Sequence, residues 1–222
     1  YLEIKRRQFS KENTIFHDSL VFPEDSITDK QSPWLELLQT GKMPDIDLSN
    51  FSPGWMIQKE WLPLLEKSCL NPTGANWLEH FYLGIMYYHN NDFDRAESAW
   101  KTSIRLRPAA WTYYCLAVLY TDHDRHNEAR KMYEKALTID PDSLSILCEY
   151  AKLMIDCSKA LQFADFINKN PLGISSDTIN NPKIQFHIAR AALFLGDTKP
   201  AENFFDKKMI MDDIRECENL FT

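Results

Sequence analysis

The run His123-Asp124-Arg125-His126 sets two imidazoles within four residues, a spacing at which a bound metal first comes to mind. A protein zinc site takes three or four ligands, and no third ligand stands at useful spacing, so the run reads as a solvated turn. Cys115 beside Tyr114 is a nucleophile only if a base approaches it. Its apolar neighbours Leu116, Ala117 and Val118 point instead to a buried thiol. The carboxylates Glu60, Glu66, Glu79, Asp92, Asp94 and Glu97 fall on polar helix faces or in first helical turns, where negative charge suits the helix dipole. Asp92 and Asp94 are placed to cap a helix opening at Phe93. His80 and His89 lie on different sides of one helix, and His187 stands among apolar residues as a core histidine. Phosphate-cradling glycine loops and the Gly-x-Ser-x-Gly elbow are missing. Nothing here assembles nucleophile, base and oxyanion donor, so neither catalysis nor a cofactor or metal is expected.

The bulk composition fits a packed scaffold. Of 222 residues, 44% are hydrophobic and 13% aromatic, enough for a substantial core. A net charge of -7 argues against nucleic acid or anionic membrane as partner, because both call for clustered Lys and Arg. Five cysteines, Cys69, Cys115, Cys148, Cys157 and Cys217, form no C-x-x-C pair, the usage of a reducing cytoplasm. No window approaches the length of a membrane span, and residues 1–30 lack the apolar core of a signal peptide. The chain begins with Tyr1, which suggests a piece of a longer protein.

Six glycines, no Asn-Gly or Asp-Gly hairpin signal and apolar spacings of three and four predict an all-α chain. Residues 1–31 are polar and are expected to run over the surface as an extended arm around "SLVFPED". "SPWLELLQTGK" predicts a short helix with Ser32 as N-cap, Pro33 at the first position and Gly41 as stop. A second helix is expected from Trp55 to Leu70, with Trp61, Leu62, Leu65 and Cys69 on its apolar face and Pro63 ending or kinking its first part. Together residues 1–75 make an arm and a two-helix cap.

From Asn76 the sequence repeats. His80, Leu83, Gly84, Tyr87, Ala96, Trp100 and Pro108 are followed by Tyr113, Leu116, Ala117, Tyr120, Ala129, Tyr133 and Pro141, with Gly84/Ala117, Ala96/Ala129 and Pro108/Pro141 all in one register. Two degenerate copies follow, carrying Tyr150, Ala151, Ala160 and Phe163, then Ala189, Ala192, Ala201 and Phe205. The pattern resembles the tetratricopeptide repeat. It implies a right-handed α-solenoid of about four antiparallel helix pairs, 76–109, 110–142, 143–171 and 182–209, followed by a tail 213–222.

In such an array the first helices line a concave groove. The register places Phe81, Tyr82, Ile85, Tyr88 and His89 there from the first pair, with Trp111, Tyr114 and Val118 from the second. Repeat modules that grip a C-terminal carboxylate do so with Lys and Asn in the groove, and neither occurs at the matching places. Two readings stand: the aromatics are covered by the chain's own preceding helices or by a neighbouring domain, or they hold a protein or peptide segment or a sugar ring. The end of the last repeat, at Phe205, offers a route to self-association.

Several segments resemble one bacterial family of multidomain proteins, in which a large N-terminal β-sandwich region similar to carbohydrate-processing enzymes precedes tetratricopeptide repeats. They are "SLVFPEDSITDKQSPWLELLQTGKMP" (19–44), "EWLPLLEKS" (60–68), "NWLEHFYLGIMYYHNNDFDRAESAWKTSIRLRPAAWTYYCLAVLY" (76–120) and "DIRECENLF" (213–221). The chain departs at Cys217, where that family reads Gly, and in its short third repeat. The resemblance implies a C-terminal scaffolding region of a larger cytoplasmic protein, non-catalytic itself. The alternative it implies is an accessory region that completes the site of a carbohydrate-active domain upstream.

Overall fold

The computed structural model describes residues 1–13, 22–48, 53–54, 56–70 and 75–206. Among them all regular structure is helical: twelve α-helices and two single turns of 3-10 helix. The chain divides into two compact units, Tyr1–Cys115 and Leu116–Thr222, so the expected N-terminal cap and the first repeat share one unit.

The first unit opens with helix α1 (Leu2–Phe9), which corrects the expectation of an extended arm. The segment is polar, but its charges satisfy one another. The buried Arg6 guanidinium donates to Glu3 at 2.9 Å and to Glu12 at 2.7 Å, and Arg7 donates to Glu3 at 2.8 Å. Leu2, one turn before Arg6, is buried with it. The stretch 14–21, which includes Ser19, Leu20 and Val21, lies outside the described residues; after Pro23 comes a single 3-10 turn, Glu24–Ser26.

Helix α2 (Ser32–Thr40) ends at Gly41, whose φ of 77° is the left-handed conformation that closes a helix. Gln31 takes the N-cap position expected for Ser32, whose hydroxyl donates to the Asp29 carbonyl at 3.0 Å. Helix α3 (Leu62–Cys69) follows a 3-10 turn, Lys59–Trp61. Residues 56–58 are not helical, so the helix starts later than expected, and Trp55 lies outside the described residues. Pro63 sits in the first turn, where a missing N–H costs nothing, and so neither ends nor kinks the helix.

Helices α4 (Trp77–His89) and α5 (Phe93–Leu106) form the first pair. Gly84 and Ala96 are buried at their crossing, and the Trp100 indole fills the space beside Gly84, donating from Nε1 to the Phe81 carbonyl at 3.1 Å. Asp92 caps α5 through the Arg95 N–H at 3.3 Å, and Pro108 follows the helix end. Ser103 Oγ donates to the Trp77 carbonyl at 2.8 Å and lies 3.5 Å from Thr112 Oγ1, which ties the start of α6 (Ala110–Asp122) to this pair.

In the second unit, α6 continues into α7 (His126–Ile139), with Ala117, Ala129 and Tyr133 fully buried. The third pair, α8 (Leu144–Asp156) and α9 (Ala160–Lys169), packs around Tyr150, whose ring lies 6.4 Å from Phe163 and 5.2 Å from Phe166. After the short α10 (Ser176–Ile179), α11 (Pro182–Phe194) and α12 (Lys199–Phe205) make the fourth. The part of that repeat beyond Asp206 and the expected tail 213–222 lie outside the described residues.

One turn serves all four pairs. Asn91 (φ 60°), Asp124 (57°), Ser158 (58°) and Gly196 (81°) are left-handed. The next N–H in each case reaches back to a carbonyl in the preceding helix: Asp92 to Tyr87 (2.9 Å), Arg125 to Tyr120 (2.8 Å), Lys159 to Met154 (2.7 Å) and Asp197 to Ala192 (2.9 Å). This is the Schellman closure, in which one left-handed residue reverses the chain and satisfies an orphan carbonyl. It sets the two helices of each pair antiparallel.

Candidate functional site

The candidate surface is built on α4 and α6. Helix α4 begins at Asn76, whose side-chain oxygen accepts from the Leu78 N–H at 2.8 Å, while Glu79 reaches back to the Asn76 N–H in a capping box. Glu79 is fully buried, with no accessible surface. Its Oε1 also accepts from the Met43 N–H at 3.1 Å and from the Ser68 hydroxyl. Asn76 Nδ2 donates to the Met43 and Pro44 carbonyls at 2.9 and 3.2 Å. One carboxylate thus joins the loop after α2, the end of α3 and the start of α4. A second tie lies near the other end of α4, where the Tyr87 hydroxyl donates to Glu66 at 2.8 Å and Arg95 donates to both at 2.6 Å.

Held this way, the N-terminal helices cover much of the aromatic face of α4. Trp34 of α2 meets Tyr82 edge to face at 4.8 Å and Trp61 at 5.5 Å. The Tyr82 hydroxyl accepts from the Gly54 N–H at 3.3 Å, and burial raises its pKa to about 12. Phe81, Tyr82 and Ile85 are 0%, 1% and 3% exposed, which leaves no surface at these three for a partner. Tyr88, assigned by register to the groove, packs on its own pair instead, 5.7 Å from Phe93 and 5.8 Å from Trp100. His89 is exposed in the last turn of α4.

Trp111 and Tyr114 remain partly open. Three residues apart on α6, they meet edge to face at 5.5 Å and 86°. Val118, one turn further along α6, is also partly exposed. The arrangement offers an apolar ledge with indole and phenol edges that can hydrogen-bond.

The reactive candidates are built into the scaffold. His123 Nδ1 lies 2.8 Å from the Leu119 carbonyl, and His126 Nε2 lies 3.7 Å from Asp124. Among the described residues no group of three His, Cys, Asp or Glu side chains is disposed to hold a metal. Burial raises the pKa of the Cys115 thiol, and raises those of Cys69 and Cys148 to about 12 and about 11, which disfavours the thiolate a nucleophile needs. Cys217 lies outside the described residues. The half-buried His187 has its pKa lowered to about 4, first by burial and then by the positive charge of Arg190. Below about 6.5 the unfolded chain therefore takes up a proton that the native chain refuses, and stability falls as pH drops from there through about 4. Urea midpoints across that range should decline less in His187→Gln than in the wild type; parallel declines would refute the assignment.

Comparison with known proteins decides the character of the helix that carries the ledge. Residues 110–143 match the tetratricopeptide repeat. The match covers the second pair and begins one residue before Trp111. Comparison with curated proteins gives no match. Among solved structures, MamA AMB-1 is 18% identical with a TM-score of 0.52, over 66% of this chain and 78% of that one. MamA MSR-1 is 18% identical with a TM-score of 0.50, over 73% and 86%. The nearly identical TPR-like repeats described as those of a Podospora anserina kinesin light chain are 14% identical with a TM-score of 0.50, over 68% and 84%. At these identities the likeness is one of fold: an all-α array of tetratricopeptide-like helix pairs. The deciding landmarks, Gly84/Ala117 and Ala96/Ala129, are buried where the repeat needs small residues.

Sequence reasoning missed one feature here, the buried role of Glu79. Its signal was present, because Asn76-x-x-Glu79 before an apolar run is a capping-box pattern. The covering of the α4 aromatics by the preceding helices was one of the two readings left open, and the residues that meet there, Trp34 and Tyr82, are too distant in sequence for their pairing to be read from it.

Proposed function

We propose that this chain is a non-catalytic protein-interaction module that holds an extended protein or peptide segment, or a neighbouring domain of the same protein, against the Trp111–Tyr114 ledge. The supporting observation is that edge-to-face pair, partly exposed on the helix that opens the tetratricopeptide match. In this reading Phe81, Tyr82 and Ile85 act beneath the surface. Binding is driven by apolar burial at about 25 cal/mol per Å2 and oriented by the Tyr114 hydroxyl and Trp111 N–H, so it varies little with salt. Among the described residues no helix is long and apolar enough to cross a membrane. The thiol usage and the acidic balance support a cytoplasmic setting, and the sequence resemblance supports a larger bacterial parent.

The test is a peptide-display selection on the wild-type chain, followed by titration of the selected peptides against Trp111→Ala/Tyr114→Ala. The double variant should lose at least about 2 kcal/mol of binding, roughly 30-fold in Kd, as expected when paired aromatic anchors are removed. Selected peptides that bind both chains equally would place the ligand elsewhere. Unaltered binding together with slowed turnover by a full-length carbohydrate-active parent would favour the accessory role.

A further inference from the structure

The Trp111–Tyr114 ledge sits on an uncharged stretch: from Ala110 to Thr121, helix α6 has no Asp, Glu, Lys, Arg or His. A partner there is held by shape and hydrogen bonds, not by ion pairs on this helix. The shape is a corner. The two rings stand 5.5 Å apart at 86°, one wall an indole and the other a phenol, and both residues are partly exposed while Thr112 and Cys115 between and beside them are buried. A small rigid apolar ring suits such a corner better than a long flexible side chain, which loses rotamer freedom on entry.

Hydrogen-bonding capacity favours the same kind of ligand. An indole N–H only donates, and the first three turns of α6 carry no carboxylate or amide side chain to accept from a partner's backbone N–H. A segment docked here is therefore best supplied with carbonyls and poor in N–H groups, since an N–H left unpaired against the ledge is penalised. Proline has a rigid ring, a carbonyl and no N–H. Proline-rich chains hold the polyproline II conformation, which makes no internal hydrogen bonds and leaves its carbonyls open to a donor.

The first unit already holds a run of related kind. Residues 43–47 have no regular structure and include Pro44. The Met43 and Pro44 carbonyls accept from Asn76 Nδ2 at 2.9 and 3.2 Å, and the Ile46 carbonyl accepts from Arg107 Nη1 at 3.0 Å, beside the Arg107–Asp45 ion pair. Side-chain donors at the start of α4 and the end of α5 thus grip an irregular, proline-containing stretch by its carbonyls.

Resting on the interaction reading above, we infer that the ledge takes a proline-rich segment in the polyproline II conformation, with one pyrrolidine ring in the corner between Trp111 and Tyr114 and a neighbouring carbonyl accepting from Trp111 Nε1–H. Because that backbone is preformed, little ordering entropy is lost on docking.

The probe is a labelled deca-proline peptide, titrated against the whole chain by fluorescence anisotropy beside a Gly-Ser peptide of equal length, while the indole N–H signals are followed by NMR. Trp111→Phe deletes one of those signals and so identifies it. Deca-proline should bind at least about tenfold more tightly than the Gly-Ser peptide and move the Trp111 signal downfield as the carbonyl engages its proton. Trp111→Ala should weaken binding by about tenfold or more, and Trp111→Phe, which keeps a ring and loses the donor, by about threefold. Circular dichroism matching the wild type shows that both variants fold. Equal binding of the two peptides, or deca-proline binding that both variants keep, overturns the inference. Display-selected peptides that depend on Trp111 and Tyr114 yet lack proline, with an unmoved indole signal under deca-proline, overturn the ligand class and leave the interaction reading standing. Selected peptides indifferent to both residues overturn the two together. A cello-oligosaccharide that moves the Trp111 signal where deca-proline does not overturns the inference in favour of a sugar.

Discussion

Replacing Trp100 by Ala is expected to cost the first unit about 3–5 kcal/mol, the range for truncating a buried aromatic. The indole is 2% exposed, donates to the Phe81 carbonyl at 3.1 Å, and lies against Tyr88 at 5.8 Å. Little can relax into the space it leaves, because the residue facing it is a glycine. A Cβ built on Gly84 would stand 2.3 Å from Trp100 Nε1 and 2.4 Å from Cδ1. The converse change, Gly84→Ala, should therefore also destabilise, by about 1–3 kcal/mol of overpacking. The decisive result is the pair of changes made together. If glycine is there to admit the indole, Gly84→Ala should cost little once Trp100 is Ala, and the double variant should be clearly less destabilised than the sum of the singles. Urea unfolding followed by far-UV circular dichroism measures all three. Additive losses would mean that the two residues do not share one space.

The same contact shows why the repeat was legible. A small residue opposite a large one at a fixed interval is a packing requirement that only a few residue types meet, so Gly84 and Ala117 keep their register in the sequence. The turns were less legible although they are structurally alike. A single left-handed residue is met by Asn91, Asp124 and Ser158 as well as by Gly196, and four different residue types conceal one conformation. Helix α1 was concealed by composition. Arg6, Glu3 and Glu12 count as polar surface in a sequence, yet in the structure the guanidinium is buried between its two carboxylates. The face of α4 was left open between two readings for a different reason. Repeat register tells which side chains point away from their own pair, but it is silent on what lies over them. Trp34 covers Tyr82 from a helix with no repeat pattern of its own. For Tyr88 even the first half failed, since a residue near the end of α4 can reach around to Phe93 and Trp100 in α5.

The covering of α4 depends on Glu79, and Glu79→Ala should cost roughly 3–7 kcal/mol, because two buried donors lose their acceptor at about 1–3 kcal/mol each and a third, part-buried donor loses its own at about 1 kcal/mol. The Met43 N–H, the Asn76 N–H and the Ser68 hydroxyl all point at this one group, two of them at Oε1 and one at Oε2. Glu79→Gln discriminates between a hydrogen-bonding role and mere space filling. The amide keeps the volume but turns its NH2 toward a backbone N–H on one side, so a loss of about 1–3 kcal/mol should remain. A loss below about 0.5 kcal/mol in the Gln variant would show that the donors find water or other partners. The consequence reaches the candidate surface. The carboxylate bonds the loop after α2 and the end of α3 to the cap of α4, and α2 carries the Trp34 that closes over Tyr82. Loosening that clasp should bare Phe81, Tyr82 and Ile85 before the rest of the unit unfolds, and an apolar dye should bind Glu79→Ala at urea concentrations where the wild type binds none. If the variant instead unfolds in one step with no dye-binding stage, the N-terminal helices and the first pair are a single cooperative body, and the aromatic face of α4 is core throughout the life of the folded protein.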